Sequence, residues 1–324
     1  MRALQAGHLD SIDGYTVVDL PVPAPGRGEV RIRVAACGVG YVDALVSLGR
    51  YQVKPHLPHD PGGEAGGTNE ALGDGVEGLA VGDRVMAALR GGFADFALAR
   101  SADVARIPEA MSFEQASGFR INYLTALHGL RDRAALQRGE RLLVTGAAGG
   151  VGMAAVQVGE VLGATVIAAA SSEEKRAFAL AHGADLAIDT EPQGWRDRLK
   201  AITDGKGIDA IFDPTCGPLF ELAFRSLSWR GRHLVIGFAG GPIPALPANL
   251  PLMKGAALIG VDVRQFPLFE PERAGAYLAE LLDWVGDGRL KPPVGRVFGF
   301  DEAKEALTFA LAGAGIGKTV LRLT

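Results

Sequence analysis

Between Gly146 and Gly152 the chain reads Gly-Ala-Ala-Gly-Gly-Val-Gly, with glycines at 146, 149 and 152 in a run almost free of side-chain bulk. Residues this small let a phosphate group reach the backbone, and a helix beginning there adds unpaired N–H groups and the positive end of a dipole. The flanking residues read as the elements this chemistry needs. Leu142-Leu143-Val144-Thr145 is an apolar, strand-like run, and Val151, Ala155, Val158 and Leu162 recur at helical spacing. A second buried strand, within Gly163–Ala170, completes a βαβ unit of about 30 residues, the setting in which such turns bind a dinucleotide. Ala148, Gly149, Gly150, Val151 and Gly152 are therefore candidate cofactor contacts.

The end of that second strand bears on which dinucleotide is bound. An NAD site places Asp or Glu about 20 residues past the glycines, on the ribose 2′-hydroxyl. Here the strand runs out as Ala170-Ser171-Ser172-Glu173-Glu174-Lys175-Arg176. No carboxylate stands at the strand end, and Ser171, Ser172 and Lys175 could hold a 2′-phosphate by hydrogen bonds and charge. This favours NADPH over NADH. A serine before Glu-Glu is also a helix cap, and the two roles are compatible.

The rest of the chain must position this unit and supply what it reacts with. At 324 residues it has room for two domains, each with its own core. A net charge of −4 speaks against an electrostatic nucleic-acid binder. No apolar run approaches the ~20 residues of a membrane span, and Met1–His8 lacks the apolar core of a secretion signal. Cys37 and Cys216 are too few for a disulfide framework and suit a reducing compartment, so a cytoplasmic location is expected.

Residues 1 to about 120 read as strands punctuated by turns, as in Val30–Val34 and Gly82–Met86. From 121 to 263 strands alternate with helices, the strands falling at 141–145, 165–170, 185–188, 209–212, 232–236 and 257–261, which predicts a doubly wound α/β sheet of six parallel strands. Beyond 264 a long amphipathic helix passes through Leu278, Leu281, Leu282 and Trp284, and Lys318–Leu323 reads as a last strand returning to the first domain. The expected domains are thus 1–120 with 264–324, and 121–263.

A set of short motifs, in this order and spacing, carries a resemblance over essentially the whole length. They are Gly49-Arg50-Tyr51, Pro61-Gly62-Gly63-Glu64, Val81–Val85, Gly91–Phe96, Thr125-Ala126, Gly146–Gly152, Gly237-Phe238 and Ile243-Pro244. The chain resembles the medium-chain dehydrogenase/reductase superfamily and, within it, the zinc-independent quinone oxidoreductases related to zeta-crystallin. The resemblance implies a GroES-like, mainly β catalytic domain beside the Rossmann domain, NADPH as cofactor, a quinone as hydride acceptor, and a homodimer. Zinc alcohol dehydrogenases carry Cys-Gly-x-Cys-His and Gly-His-Glu motifs. The matching residues here are Cys37-Gly38-Val39-Gly40-Tyr41 and Gly62-Gly63-Glu64, without the ligands a zinc site needs, so no metal is expected. His56 and His59 lie in a proline-rich loop with no further ligand cluster.

The same resemblance assigns roles residue by residue. Tyr51 borders the pocket, as proton donor or as aromatic wall, and Tyr41 stands where zinc relatives place a ligand. Thr125 meets the nicotinamide end. Thr215, Gly237, Phe238, Ala239, Val261, Asp262 and Val263 follow strand ends and should lie along the cofactor. Lys318 matches a Gly-Lys element near the cofactor phosphates, or is a solvated lysine. Gly40 replaces the asparagine usual in quinone oxidoreductases, and Arg120 a proline. Together with His59 they suggest a pocket more polar or more basic than the family norm, unless Arg120 pairs with a carboxylate. Two alternatives to quinone reduction follow: reduction of an enone or enoyl thioester, and a weakly catalytic NADPH-binding structural or regulatory protein.

Overall fold

Alternation of buried and exposed residues builds the β-rich part of the chain. In the computed structural model, which describes residues 1–323, strand β1 (Arg2–Gln5) pairs antiparallel with β2 (Thr16–Asp19). The long strand β3 (Glu29–Val39) buries Val30, Ile32 and Val34 at every second position, as a strand with one covered face requires. It pairs antiparallel with β4 (Glu64–Leu72), and β4 continues to β5 (Arg84–Ala88). Strand β6 (Phe96–Arg100) pairs with β3, and β7 (Val104–Arg106) with β5.

The second part is parallel. Strands β8 (Arg141–Thr145), β9 (Thr165–Ala169), β10 (Leu186–Ile188), β11 (Ile208–Asp213), β12 (Leu227–Val235) and β13 (Ala257–Gly260) form one six-stranded sheet in the order β10-β9-β8-β11-β12-β13. Every adjacent pair is parallel. Such strands, covered on both faces, read as continuous apolar runs, which is why all six are recognisable in the sequence. Leu143, Ile167, Trp195, Ile211 and Phe224 pack in its core. Strands β14 (Val294–Gly299) and β15 (Lys318–Arg322) return to the first part, where β15 pairs antiparallel with β3.

The chain divides into Met1–Arg120 with the residues from Pro292 on, and Ile121–Lys291. The first unit thus breaks off after Arg120 and resumes at Pro292. Residues 264–291, expected in the first domain, belong to the unit of the parallel sheet. The reason is the helix Pro271–Gly286, whose Tyr277 hydroxyl donates to Asp132 at 2.6 Å and whose Glu280 receives both Arg131 nitrogens at 2.5 and 2.9 Å. Amphipathic spacing identifies a helix with one apolar face but not the surface that face covers.

Candidate functional site

The glycine turn after β8 is tight because Gly152 makes room for the Gly146 carbonyl and Gly146 for Thr215. Gly146 takes a left-handed φ of 55°, and the Gly149 N–H donates to the Gly146 carbonyl at 3.0 Å. The helix Gly150–Val161 then begins, with Gly149 at its cap. A methyl group at Gly152 would lie 2.2 Å from the Gly146 carbonyl oxygen, so only glycine lets the first helical turn close on the loop.

This turn sits at the switch point of the sheet. From β8 the chain winds outward through β9 and β10, then crosses to β11 on the other side of β8, leaving the carboxyl ends of β8 and β11 side by side. A buried carboxylate ties those two ends together. Asp213 closes β11 and accepts hydrogen bonds from the Thr145 hydroxyl at the end of β8, from the Thr215 N–H (3.0 Å) and hydroxyl (2.8 Å), and from the Cys216 N–H (2.8 Å). Its other oxygen lies 3.0 Å from His233 Nε2, and both side chains are essentially inaccessible to solvent. Burial disfavours the charge, but His233 and the surrounding donors prevail and hold the Asp213 carboxyl down to about 2. The turn after β11 is thereby fixed against the glycine loop: the Thr215 methyl lies 3.0 Å from where a Cβ on Gly146 would stand. Thr215 was expected here. His233 is a partner of the hub, and an imidazole inside a strand gives no sequence signal of that role.

Farther along the sheet, Ser172 caps the helix Glu173–Leu180, its hydroxyl accepting from the Lys175 N–H at 3.2 Å. Ser171 is exposed beside it, and Arg176 is turned back onto the Ala170 carbonyl at 3.1 Å. The segment Gly237–Ala239 follows β12, with Ala239 N–H bonded to Pro214 and Gly240 N–H to Thr215. After β13 come Val261, which is buried, Asp262, which pairs with Arg264 at 2.7 Å, and Val263. The Thr125 hydroxyl donates to Ile121 within its own helix at 2.6 Å, so its proton is committed there. Turn, helix start and hydroxyl-bearing strand end together fit a dinucleotide, and the fit is steric as well as electrostatic, since a Cβ at Gly152 would destroy the loop.

In the other unit, strand register brings together residues far apart in the chain. β15 pairs with β3 so that Thr319 faces Val39, which sets Lys318 opposite Gly40. Gly40 precedes the helix Tyr41–Ser47, and its N–H donates to Asp43 Oδ2 at 2.7 Å. Burial raises the Asp43 carboxyl above the usual carboxylate range, against the pull of the Lys318 ammonium and the Gly40 N–H. Cys37, fully buried on β3, donates to the Glu64 carbonyl at 3.1 Å, and burial pushes its thiol well up. Tyr41 opens the helix and Tyr51 lies in the bend after Gly49, both partly exposed. Arg120 takes the second of its two readings: its guanidinium donates to the Asp103 carbonyl at 2.8 Å and lies 3.6 Å from the Asp103 carboxylate. His59 meets the Tyr15 hydroxyl at 2.5 Å, and burial lowers its pKa. Neither residue therefore supports a basic pocket. Among the described residues no group of three or more His, Cys, Asp and Glu side chains could hold a metal ion. Asp43 has no place in the sequence reading, because an aspartate in a helical first turn is ordinary.

Comparison with known proteins agrees with this geometry. Residues 26–109 match the alcohol dehydrogenase GroES-like domain and residues 150–282 the zinc-binding dehydrogenase family. A quinone oxidoreductase-like protein 2 homolog from Nematostella vectensis is 35% identical over 300 residues, covering 91% of this chain and 82% of the relative. The chain belongs to the medium-chain dehydrogenase/reductase superfamily. Among its solved members, the Thermus thermophilus quinone oxidoreductase, determined alone and with NADPH, matches with a TM-score of 0.85 and 34% identity over the whole of both chains. The CurK enoyl reductase matches with a TM-score of 0.90 and 27% identity over 100% of this chain and 99% of its own. The medium-chain reductase fold accounts for both the parallel sheet and the mainly β unit.

Proposed function

We propose that this chain is a zinc-independent, NADPH-dependent oxidoreductase that delivers hydride to a quinone. The observation that carries the reading is the Gly146–Gly152 turn at the switch point, followed by a strand end bearing Ser171, Ser172 and Lys175 in place of a carboxylate. A quinone oxidoreductase solved with NADPH, at 34% identity, supports it. When bound, the nicotinamide supplies a hydride. The chain's own residues bind and orient. Backbone from Ala148 to Gly152 faces the phosphates, Ser171, Ser172 and Lys175 the 2′-phosphate, and Thr215, Gly237–Ala239 and Val261–Val263 the length of the cofactor, with Thr125 at its nicotinamide end. Tyr51 and Tyr41 border the acceptor, where a phenol can donate a proton or simply wall off water. The positions that hold zinc ligands in zinc relatives are Gly40, Tyr41 and Gly63, which offer no ligand set.

The likeness to an enoyl reductase favours a second reading, reduction of an enone or enoyl thioester on the same scaffold. We further propose a cytoplasmic homodimer joined along β13, an edge strand whose Leu258 is exposed beside exposed Trp229, Leu252 and Met253. The two buried free thiols suit a reducing compartment. A panel of quinones, enones and enoyl thioesters assayed with NADPH separates the two reactions. Turnover confined to quinones supports the first reading, and turnover confined to enoyl thioesters replaces it with the second.

A further inference from the structure

Lys318 is half-buried. Its side chain runs past three glycines from two segments, Gly38 and Gly40 at the end of β3 and Gly118. A methyl group at Gly118 would lie 2.3 Å from Lys318 Cγ, one at Gly38 2.8 Å from Cε, and one at Gly40 3.3 Å from Nζ. The same point at Gly40 is 3.2 Å from Asp43 Oδ2. Gly40 has an extended backbone, φ −123°, open to any residue, so what bears on a side chain there is the pair of charged groups beside its Cβ position rather than its conformation. The space of a side chain at position 40 is thus flanked by an ammonium and a carboxylate, both belonging to half-buried residues.

We propose that Lys318 is a catalytic residue of the acceptor site, its Nζ binding the acceptor's carbonyl oxygen and protonating it, with Asp43, whose carboxylate lies on the other side of the Gly40 position, as the positioning residue that acts on the ammonium through its charge. This rests on the reading of the chain as a reductase of conjugated carbonyls. Hydride addition to a quinone from the nicotinamide leaves a hydroquinone monoanion, with the new negative charge on oxygen. An O–H bond forms there as an N–H bond of Lys318 breaks, giving the neutral hydroquinone and a neutral amine that solvent reprotonates. A preorganised cation at the site of developing charge is worth most where water is partly excluded. Gly40 then marks a specificity choice: the absent side chain leaves the oxygen to the lysine.

The test uses the full chain and three readouts besides stability: NADPH affinity by fluorescence titration, affinity for 4-nitrophenolate as a stand-in for the anionic product oxygen, and steady-state kinetics with 1,4-benzoquinone. Lys318→Met is expected to lower kcat/KM about a hundredfold and phenolate affinity about tenfold, with NADPH affinity and melting temperature little changed. Asp43→Asn should lower kcat with KM unchanged and weaken phenolate binding severalfold. Gly40→Asn keeps both charged groups but fills the space between them, and should lose phenolate binding as Lys318→Met does. If Lys318→Met weakens NADPH while phenolate binding and kcat at saturating NADPH stay intact, the lysine serves the cofactor phosphates and the proposal fails. It fails equally if none of the three variants alters phenolate binding. A wild-type protein that binds phenolate through Lys318 yet reduces no quinone would overturn the functional reading and leave the anion site standing.

Discussion

A few single residues have surroundings that leave no alternative. Gly152 is one. Replacing it with alanine forces a Cβ against the Gly146 carbonyl, so Gly152→Ala should weaken NADPH binding at least about a hundredfold or cost about 2 kcal/mol of stability through overpacking; fluorescence titration and thermal melting distinguish the two. Asp213 is another. Its carboxyl, held to about 2, is depressed relative to an unfolded value of about 3.9. Its contribution of roughly 2–3 kcal/mol is therefore complete above about pH 4 and is lost as pH falls through about 2. His233→Phe removes one of the groups that keep the carboxyl ionised, so acid unfolding should move to higher pH. All three tryptophans, Trp195, Trp229 and Trp284, lie in the unit that contains Asp213. Tryptophan fluorescence in urea at a series of pH values follows that unit alone, and an unchanged acid limb in the variant would refute the role given to the pair. The glycine loop was legible in the sequence because phosphate approach and close packing both demand small residues at fixed spacing. The His233–Asp213 pair and the Lys318–Asp43 approach were not, since each depends on strand register between distant segments.

At the scale of elements, what the sequence revealed follows how strongly each element is patterned. The buried parallel strands were located to within a residue or two, except that β12 begins at Leu227, five residues before the apolar run at 232–236 announces it. Its first half carries Ser228, Trp229 and Arg230, polar or exposed, in an irregular stretch between Leu227, which pairs with Ile208, and Arg232, which pairs with Ala210. The helix Pro271–Gly286 was found but given to the wrong unit. At the strand end after β9 two roles overlap, and they separate experimentally. Ser172→Ala should cost about 1 kcal/mol through loss of the cap, with affinity for NADH unchanged. Lys175→Ala should weaken NADPH by about tenfold while sparing NADH. Equal effects of Lys175→Ala on both cofactors would remove Lys175 from the 2′-phosphate.

At the scale of the whole molecule, β13 presents an unpaired edge with Leu258 exposed, next to Trp229, which stacks over Gly255 and is 72% exposed. An apolar open edge of this kind is a hazard unless something covers it. Light scattering on a sizing column should give a dimer for the wild type and a monomer for Leu258→Lys, and a wild-type monomer at micromolar concentration would contradict the proposed assembly. Everything else in the account rests on one transfer. Its most direct test is the stoichiometry of NADPH consumed to hydroquinone formed, measured with 1,4-benzoquinone on chelator-treated protein of known zinc content, with NADH in parallel. The account predicts one hydroquinone per NADPH at undiminished rate without zinc, and a clear preference for NADPH. Activity that disappears with the metal, or an equal or better rate with NADH, would contradict it.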